Sequence, residues 1–452
     1  MPDMQTTTQE LPFPAQSRLE EMVQDIIGRA HQLGADSVEA GVSIDAGLSV
    51  TVRLGEVETL EHNRDRGIGL TVYFDHRKGT ASTADFAPES LQATAQAACD
   101  IARYTGADEC AGLADADRMA TVIPDLDLCH PWALGAEEAI DLARECEAEA
   151  RAVDARIVNS EGGTVSSYVG MRVSANSHGF LGGYRTSRHS LSCSVIGKQT
   201  DEMQRDHWYE SARDPADLAN PADVGRMAGE RTVRRLGARK LATCQAPVIF
   251  AADVARGLFG NFISAINGSN LYRKSSFLVD CLETQVFPGF MHIHEQPLLK
   301  KALGSAPYDG EGVATYARDI VTDGILKGYV LNSYAARKLG MQTTANSGGV
   351  HNLIIDPGDK DLPALLRAMD TGLLVTEVIG FGVNILTGDY SRGIAGYWVE
   401  GGEIQYPVDE VTVAGNMKDM FLGIAEVGND VDMRGNIRAG SVLIEQMTIG
   451  GT

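Results

Sequence analysis

Residues 387–420 read TGDYSRGIAGYWVEGGEIQYPVDEVTVAGNMKDM, a run of strand-like segments separated by glycine. On both sides of a turn at 400–403, apolar or small residues recur at every second position, a pattern typical of a β-hairpin. The alternating positions are Ile394, Gly396, Trp398, Ile404, Tyr406 and Val408. A further turn is predicted at Gly415 and Asn416. The stretch therefore predicts antiparallel sheet in the C-terminal part of the chain.

A charged, hydroxyl-rich loop is predicted just before this hairpin. Its residues, called segment 388–393 below, are Gly388, Asp389, Tyr390, Ser391, Arg392 and Gly393. Glycine tolerates backbone conformations and close approaches in which a side chain would clash. The whole stretch lacks histidine and cysteine, on which most metal and thiol sites depend. A peptide-binding element and a merely structural loop both remain open interpretations.

Composition limits the classes of partner. Asp and Glu outnumber Lys and Arg by 61 to 39, which gives a formal charge of −22 over 452 residues. This charge repels phosphate backbones and anionic lipid, so nucleic acid is not expected as a partner.

No run approaches the roughly 20 apolar residues that span a bilayer, and residues 1–16 lack the features of a signal peptide. Seven irregularly spaced cysteines favour a reducing compartment, so a cytoplasmic location is expected.

The N-terminal half shows a coarse repeat of helix, antiparallel strands and helix. Helical spacing of apolar residues or helix-forming composition predicts helices over residues 19–30, 88–104, 136–153 and 221–236. Alternating strands are predicted between the members of each pair. The polar segment 177–189, within the second set of strands, is interpreted as a solvated rim. These features predict one unit over residues 1–106 and a second, with a linker, over residues 107–239.

The C-terminal half, residues 240–452, is richer in glycine and in short strands. Strands are predicted at 248–251, 328–332 and 353–355, and a helical patch at 362–369. The predicted fold class is α+β: N-terminal helix and antiparallel-sheet repeat units, followed by a Gly-rich, mainly β C-terminal domain with a closed or sandwich-like sheet.

One histidine pair is a candidate metal site. On a strand, His292 and His294 point to the same face, and Glu295 follows directly. The sequence places no third ligand beside the two imidazoles, so a solvated strand edge is the preferred interpretation. The chain also lacks HExxH, CxxC and GxSxG motifs.

Seven short motifs are spread in order over both halves of the chain: NSEG at 159–162, ANSHGF at 175–180, RHSLSC at 188–193, DGEGVAT at 309–315, TGDYSRG at 387–393, PVDEVTVAGNMKDM at 407–420 and VGND at 427–430. With these motifs the chain resembles the PmbA (TldE) branch of the TldD/PmbA family over nearly its whole length. The resemblance implies a cytosolic protein. It also implies that a TldD-like and a PmbA-like chain pair as a zinc metallopeptidase that trims unfolded or modified peptides.

The resemblance further implies that the zinc site belongs to the TldD-like chain, where a helix carries HExxxH and a C-terminal cysteine completes the ligand set. Here the two histidines and the glutamate of that motif fall at Phe259, Ser264 and Gly260, or one residue later at Gly260, Ala265 and Asn261. No cysteine follows Cys281. No catalytic residue and no metal or other cofactor are therefore expected in this chain, and zinc is expected in a TldD-like partner.

The resulting prediction is a partner subunit of a metallopeptidase complex that acts in proteolysis and peptide maturation. A heterodimer with a TldD-like chain is expected, with a homodimer as an option when the chain is alone. Peptide would contact segment 388–393. Two alternatives remain: an interaction protein that modulates DNA gyrase, which the family's older naming suggests, and a self-sufficient peptidase that uses His292, His294 and Glu295.

Overall fold

The computed structural model describes residues 13–451, which form two compact units. The first unit comprises the residues up to Ile196 together with 206–230 and 311–313, and the second comprises 197–205, 231–310 and the chain from Ala314 onward. The helices are α1 (Gln16–Gln32), α2 (Pro88–Tyr104), α3 (Ala136–Ala152), α4 (Pro221–Arg234), α5 (Ala252–Ala265), α6 (Gly268–Tyr272), α7 (Ser333–Lys338), α8 (Leu362–Met369) and α9 (Met417–Leu422). The strands are β1 (Ser37–Arg53), β2 (Glu56–Phe74), β3 (Arg77–Thr83), β4 (Ile157–Asn176), β5 (Leu181–Gln199), β6 (Glu202–Ala212), β7 (Cys244–Phe250), β8 (Ile293–Glu295), β9 (Arg318–Thr322), β10 (Ile325–Leu326), β11 (Leu353–Ile355), β12 (Gly372–Ile379), β13 (Asp389–Glu400), β14 (Glu403–Asn416), β15 (Ile424–Val427), β16 (Ile437–Arg438) and β17 (Val442–Gly450).

One six-stranded sheet joins the strands of both predicted N-terminal repeats, in the order β3-β2-β1-β4-β5-β6. The central strand β1 pairs antiparallel with β2 and with β4. Every second residue of β1 from Val38 to Val52 is buried, because successive side chains of a strand point to opposite faces. The period-two prediction for this region is confirmed.

The predicted N-terminal helices are also confirmed. Helix α1 buries Leu19, Val23, Ile26 and Ala30 on one face, at helical spacing. Gly34 follows the helix with a φ of +94°, a conformation that glycine adopts without a steric penalty. The apolar faces of α1 and α2 share one core with the buried side chains of β1 and β2.

The predicted solvated rim at 177–189 is wrong for two of its polar residues. Ser187 and His189 are buried, at 1% and 0% exposure. The Nε2 atom of His189 lies 2.8 Å from the His130 carbonyl oxygen, and Nδ1 lies 3.0 Å from the Ser167 hydroxyl. A carbonyl can only accept, so Nε2 donates and Nδ1 accepts from the hydroxyl. A polar side chain can thus be buried where the fold supplies its partners.

The second unit contains the closed sheet that the glycine-rich sequence suggests. Its strands follow the order β14-β13-β12-β7-β17-β15, and β14 also pairs with β17, so five strands form a ring. The predicted hairpin is confirmed as β13 and β14, with two register irregularities. A smaller sheet has the order β10-β9-β8-β11-β16. Helices and antiparallel sheets together confirm the α+β class.

Two local predictions for the second unit need correction, and one helix lies outside the predictions. Residues 328–332 form no strand, although Val330 makes an isolated bridge to Asn267. The chain does not simply turn at Gly415 and Asn416, because β14 ends there and the Asn416 side chain accepts from the Lys418 N–H to cap α9. Helix α5 is absent from the predicted elements, and its apolar face forms part of the main core of this unit.

Within residues 13–451, no helix is long and apolar enough to cross a membrane. The seven cysteines are all free in the structure.

Candidate functional site

Helix α5 contains the positions at which HExxxH would fall. It begins directly after β7, and Ala255, Leu258, Phe259, Phe262 and Ala265 recur at helical spacing on its buried face. The Phe259 ring centroid lies 6.4 Å from that of Phe287, inside a group of aromatic rings. The face that could present metal ligands is therefore packed with hydrocarbon.

The remaining motif positions on α5 offer no metal ligand either. Ser264 Oγ donates to the Gly260 carbonyl oxygen at 3.0 Å, a bond within the helix. Asn261 carries an amide in place of a carboxylate, and Ala265 is buried. Zinc in proteins is bound by thiolate, imidazole and carboxylate groups. The residues on this helix do not fit a zinc ion.

Residues 389–393 of this segment form the beginning of β13 and Gly388 directly precedes the strand, so the prediction of a loop is wrong for five of the six residues. On one side Tyr390 pairs with Gly415 of β14, and on the other it bridges to Val383. The Ser391 N–H donates to the Gly382 carbonyl oxygen at 2.7 Å. With neighbours on both sides, an added peptide strand would have to displace one of them. Contact with a peptide would therefore depend on side chains.

The side chains of this segment differ in exposure. Tyr390 is 3% exposed, and burial raises the pKa of its phenol to about 12. Its ring packs edge-on against Phe250, with centroids 6.4 Å apart. Asp389 and Ser391 are exposed and Arg392 is half-buried. Thr387 Oγ1 donates to the Asp389 carboxylate at 2.7 Å. Peptide binding at these six residues remains a prediction.

His294 lies on β8 in the smaller sheet of the second unit, and His292 directly precedes this strand. Two aspartates distant in sequence lie beside the pair. His292 Nδ1 is 2.8 Å from one Asp356 oxygen, and His294 Nε2 is 3.0 Å from the other. His292 Nε2 is 3.0 Å from an oxygen of Asp319. The two imidazole rings are nearly parallel, with centroids 5.0 Å apart. His292, His294 and Asp356 each offer one possible ligand atom, and these atoms lie within 4.8 Å of one another. Within residues 13–451, no other group of three or more His, Cys, Asp or Glu residues brings its ligand atoms this close together.

Glu295 does not belong to this cluster. It is 2% exposed and accepts from Arg318 Nε at 2.9 Å, from Asn346 Nδ2 at 2.8 Å and from the His351 N–H at 2.6 Å. Its side chain points to the opposite face of β8 from His294, as period two requires. The grouping of His292, His294 and Glu295 is therefore wrong, since Glu295 is committed to a buried ion pair.

Strand pairing brings the actual cluster together. Asp319 lies on β9, opposite His294 on β8, and Asp356 follows β11 on the other side of β8. Burial alone lowers the pKa of His292, but its bonds to Asp356 and Asp319 outweigh burial and raise that pKa. No sequence motif marks either aspartate, because they lie 27 and 64 residues from His292.

Three family models match the chain in order. They describe domain 1, the central domain and the C-terminal domain of the PmbA/TldA metallopeptidases, and they cover residues 38–102, 129–236 and 243–451. The metalloprotease PmbA of Escherichia coli O157:H7 is 51% identical over 417 residues, which cover 92% of this chain and 93% of that protein.

Solved structures agree with these matches. A Bacteroides thetaiotaomicron protein, named as a candidate modulator of DNA gyrase, has a TM-score of 0.91 and 29% identity, and the match covers 96% of this chain and 99% of that one. TldE from Thermococcus kodakarensis, at 19% identity, shares the fold, with a TM-score of 0.79 over 95% of this chain and 100% of that one. Since the family models span most of the chain and the E. coli protein is similar over nearly its full length, the chain belongs to the PmbA branch of the PmbA/TldD metallopeptidase family.

Proposed function

We propose that this chain is the PmbA-type subunit of a TldD/PmbA metallopeptidase complex and has no catalytic zinc site of its own. The observation that carries the proposal is the composition of α5. Where HExxxH would supply two imidazoles and a carboxylate, the helix offers Phe259, Gly260 and Ser264, or Gly260, Asn261 and Ala265. Zinc-dependent hydrolysis needs metal ligands, and in such sites the glutamate acts as general base. Cleavage of a peptide therefore requires a second chain that supplies them.

The proposed partner is a TldD-like chain, which would hold the zinc and form a heterodimer with this one. The proposed substrates are unfolded or modified peptides, and the reaction serves proteolysis and peptide maturation. Seven free cysteines fit the reducing conditions of the cytoplasm, where we place the complex. A homodimer is the expected alternative assembly when the partner is missing.

This chain would shape the chamber that holds the peptide. We assign peptide contact to segment 388–393, through the polar side chains of Asp389, Ser391 and Arg392. The carboxylate of Asp389 and the guanidinium of Arg392 point to opposite faces of β13, and each can bind a charged group of a peptide. The buried ring of Tyr390 would fix the strand that carries them.

A reconstitution experiment tests the proposal. Cleavage of an unstructured peptide is measured with this chain alone, with a TldD-like chain alone and with an equimolar mixture. We expect no cleavage by this chain alone and the highest rate from the mixture. As a control, the mixture is repeated with a partner whose HExxxH glutamate is replaced by glutamine, which should abolish cleavage. Cleavage by this chain alone would contradict the proposal and favour a self-sufficient peptidase.

A second candidate function is modulation of DNA gyrase through protein contact. It is favoured by the name of the Bacteroides thetaiotaomicron protein, which is similar over 96% of this chain. The charge of −22 disfavours DNA as the direct ligand but is compatible with DNA mimicry. Binding to gyrase and a changed supercoiling rate, without any effect on a TldD-like peptidase, would favour this candidate.

A further inference from the structure

We propose that His292, His294 and Asp356 form a binding site for one divalent transition-metal ion of the zinc class, on the smaller sheet of the second unit. The site is separate from the HExxxH positions on α5, and it departs from the expectation, based on the family resemblance, that this chain holds no metal. It would hold a metal without supplying the peptidase chemistry.

The three candidate ligands lie close to one another. The nitrogen and oxygen ligand atoms lie within 4.8 Å of one another. Two ligands of one tetrahedral zinc ion lie about 3.3 Å apart, given bond lengths of about 2.0–2.1 Å. His292 Nδ1 and His294 Nε2 are 2.8 and 3.0 Å from the two Asp356 oxygens. An ion can therefore replace the hydrogen atoms in these two contacts after small side-chain rotations.

The backbone fixes the positions of all three ligands. His294 lies on β8, where it pairs with Ile354 of β11. The Asp356 N–H donates to the His292 carbonyl oxygen at 3.1 Å, which ties the third ligand to the first. Sites built on strands hold their ligands more precisely than sites built on loops. A bound ion would connect β8 to the end of β11, both of which are short strands.

Each histidine has a polar neighbour that can orient its ring for metal binding. With Nδ1 of His292 bound to a metal, its Nε2–H donates to Asp319, which lies 3.0 Å away. A carboxylate that accepts from the second nitrogen of a metal-binding histidine fixes the ring and makes it a stronger ligand. The amide nitrogen of Gln296 lies 3.0 Å from Nδ1 of His294. A 180° rotation of this amide would place its oxygen there instead, where it can accept a hydrogen bond from the Nδ1–H group.

The ligand set and its exposure select the kind of ion. Two imidazoles disfavour Mg²⁺ and Ca²⁺, which take oxygen ligands, and favour zinc, nickel or copper. The side chains of His292, His294 and Asp356 are 35%, 16% and 46% exposed, so an ion can enter from solvent and a water molecule can complete the coordination. The chain's charge of −22 attracts cations to this surface.

Metal titration of the tag-free, full-length chain tests this proposal. Co²⁺ is added first and followed by its visible absorption, and Zn²⁺ is then used to displace it. We expect one equivalent to bind at micromolar concentration. His294→Gln and Asp356→Asn should each weaken binding at least a hundredfold. His207→Gln removes an exposed histidine elsewhere and should leave binding unchanged. Asp319→Asn, which changes only the group that orients His292, should weaken binding roughly 10- to 100-fold.

Thermal unfolding supplies a readout that does not depend on the absorption signal. Zn²⁺ should raise the midpoint of the wild type and of His207→Gln, and should leave those of His294→Gln and Asp356→Asn unchanged. The midpoints without metal show whether each variant is folded. Absence of stoichiometric binding by the wild type, or binding that survives His294→Gln, would overturn the proposal. Metal binding without peptide cleavage supports this site and leaves the proposed function of the chain intact.

Discussion

Arg392 is half-buried and belongs to the segment to which we assign peptide contact. Its backbone lies in β13 between β12 and β14, so its substitution should not alter the sheet. The Nε–H donates to the Ile379 carbonyl oxygen at a long 3.3 Å, which leaves most of the guanidinium free for a ligand. A residue that only positions peptide contributes to substrate binding and not to the chemical step.

We therefore expect Arg392→Gln to raise the KM of the reconstituted complex by about 10- to 150-fold with little change in kcat. One lost charge-assisted hydrogen bond is worth about 1.5–3 kcal/mol. Steady-state kinetics with an acidic unstructured peptide provide the measurement. Arg64→Gln, at an exposed position of β2, is the control for loss of one positive charge. Equal KM values for wild type and Arg392→Gln would remove this residue from the proposed surface.

His189 is a buried histidine whose protonated, charged form is disfavoured in the folded state. Burial lowers its pKa, and this effect outweighs the bond to the His130 carbonyl and the attraction of Asp214, both of which raise it. The folded state thus binds a proton on this ring less readily than the unfolded chain does. Its contribution to stability is complete above the unfolded pKa of about 6.5 and is lost as the pH falls below that value.

We expect the thermal midpoint of the wild type to fall between pH 7.5 and pH 5.5 by more than that of His189→Gln. At pH 7.5 the variant should be less stable by about 1 kcal/mol, since it loses the edge-on contact of the imidazole with Trp132. Calorimetry at both pH values measures the difference. His207→Gln should retain the wild-type dependence. Parallel pH dependences for wild type and His189→Gln would show that this ring does not titrate on unfolding.

At the scale of the elements, strand β13 owes its close approach to β12 to a missing side chain. A Cβ atom on Gly396 would lie 1.9 Å from the Leu374 carbonyl oxygen. The register between the two strands also shifts near this position. Backbone oxygens cannot move without breaking the ladder, so a methyl group would push the strands apart.

Gly396→Ala should therefore destabilise the chain by about 3 kcal/mol, the upper range for overpacking. Gly257→Ala is the matched control, since a Cβ there meets nothing within 4 Å. Gly257 lies inside α5, so that substitution should stabilise the chain by up to about 1 kcal/mol. Thermal unfolding of both variants provides the comparison. A Gly396→Ala midpoint at or above that of the wild type would mean that β12 and β13 can separate at little cost.

At the scale of the whole molecule, charge decides which macromolecules the chain can approach. The 22 excess negative charges produce a field that repels nucleic acid, and salt screens this field. Proteins that bind DNA through lysine and arginine bind more tightly as salt is lowered. For this chain, lowering the salt concentration should instead strengthen the repulsion from DNA.

We expect no change in the anisotropy of a labelled DNA duplex on addition of the chain at physiological ionic strength. At tenfold lower salt the result should be the same, because repulsion then acts over about 25 Å. Binding that appears or strengthens at low salt would contradict this expectation and reveal a basic surface. A DNA-binding protein of similar size, measured in parallel, confirms that the assay responds.

The candidate site was predictable from sequence to different degrees. The same-face position of His292 and His294 follows from period two, whereas Asp356 and Asp319 reach them through strand pairing. Helix α5 has an apolar spacing that would have predicted it, but Gly257 and Gly260 give it the appearance of a glycine-rich loop. Segment 388–393 looks like a loop for the same reason, since its glycines do not show which strands lie beside it.

The sequence by itself determined the features that depend on near neighbours: the alternation in β1, the helical faces of α1 and α2, the hairpin of β13 and β14, the charge and the family. These features follow from local periodicity, from total composition and from ordered motifs. Only the tertiary structure decided which polar groups are buried and which side chains meet. It placed His189 in the core, joined Glu295 to Arg318 and brought Asp356 to the two histidines, because pairing between strands connects residues far apart in the chain.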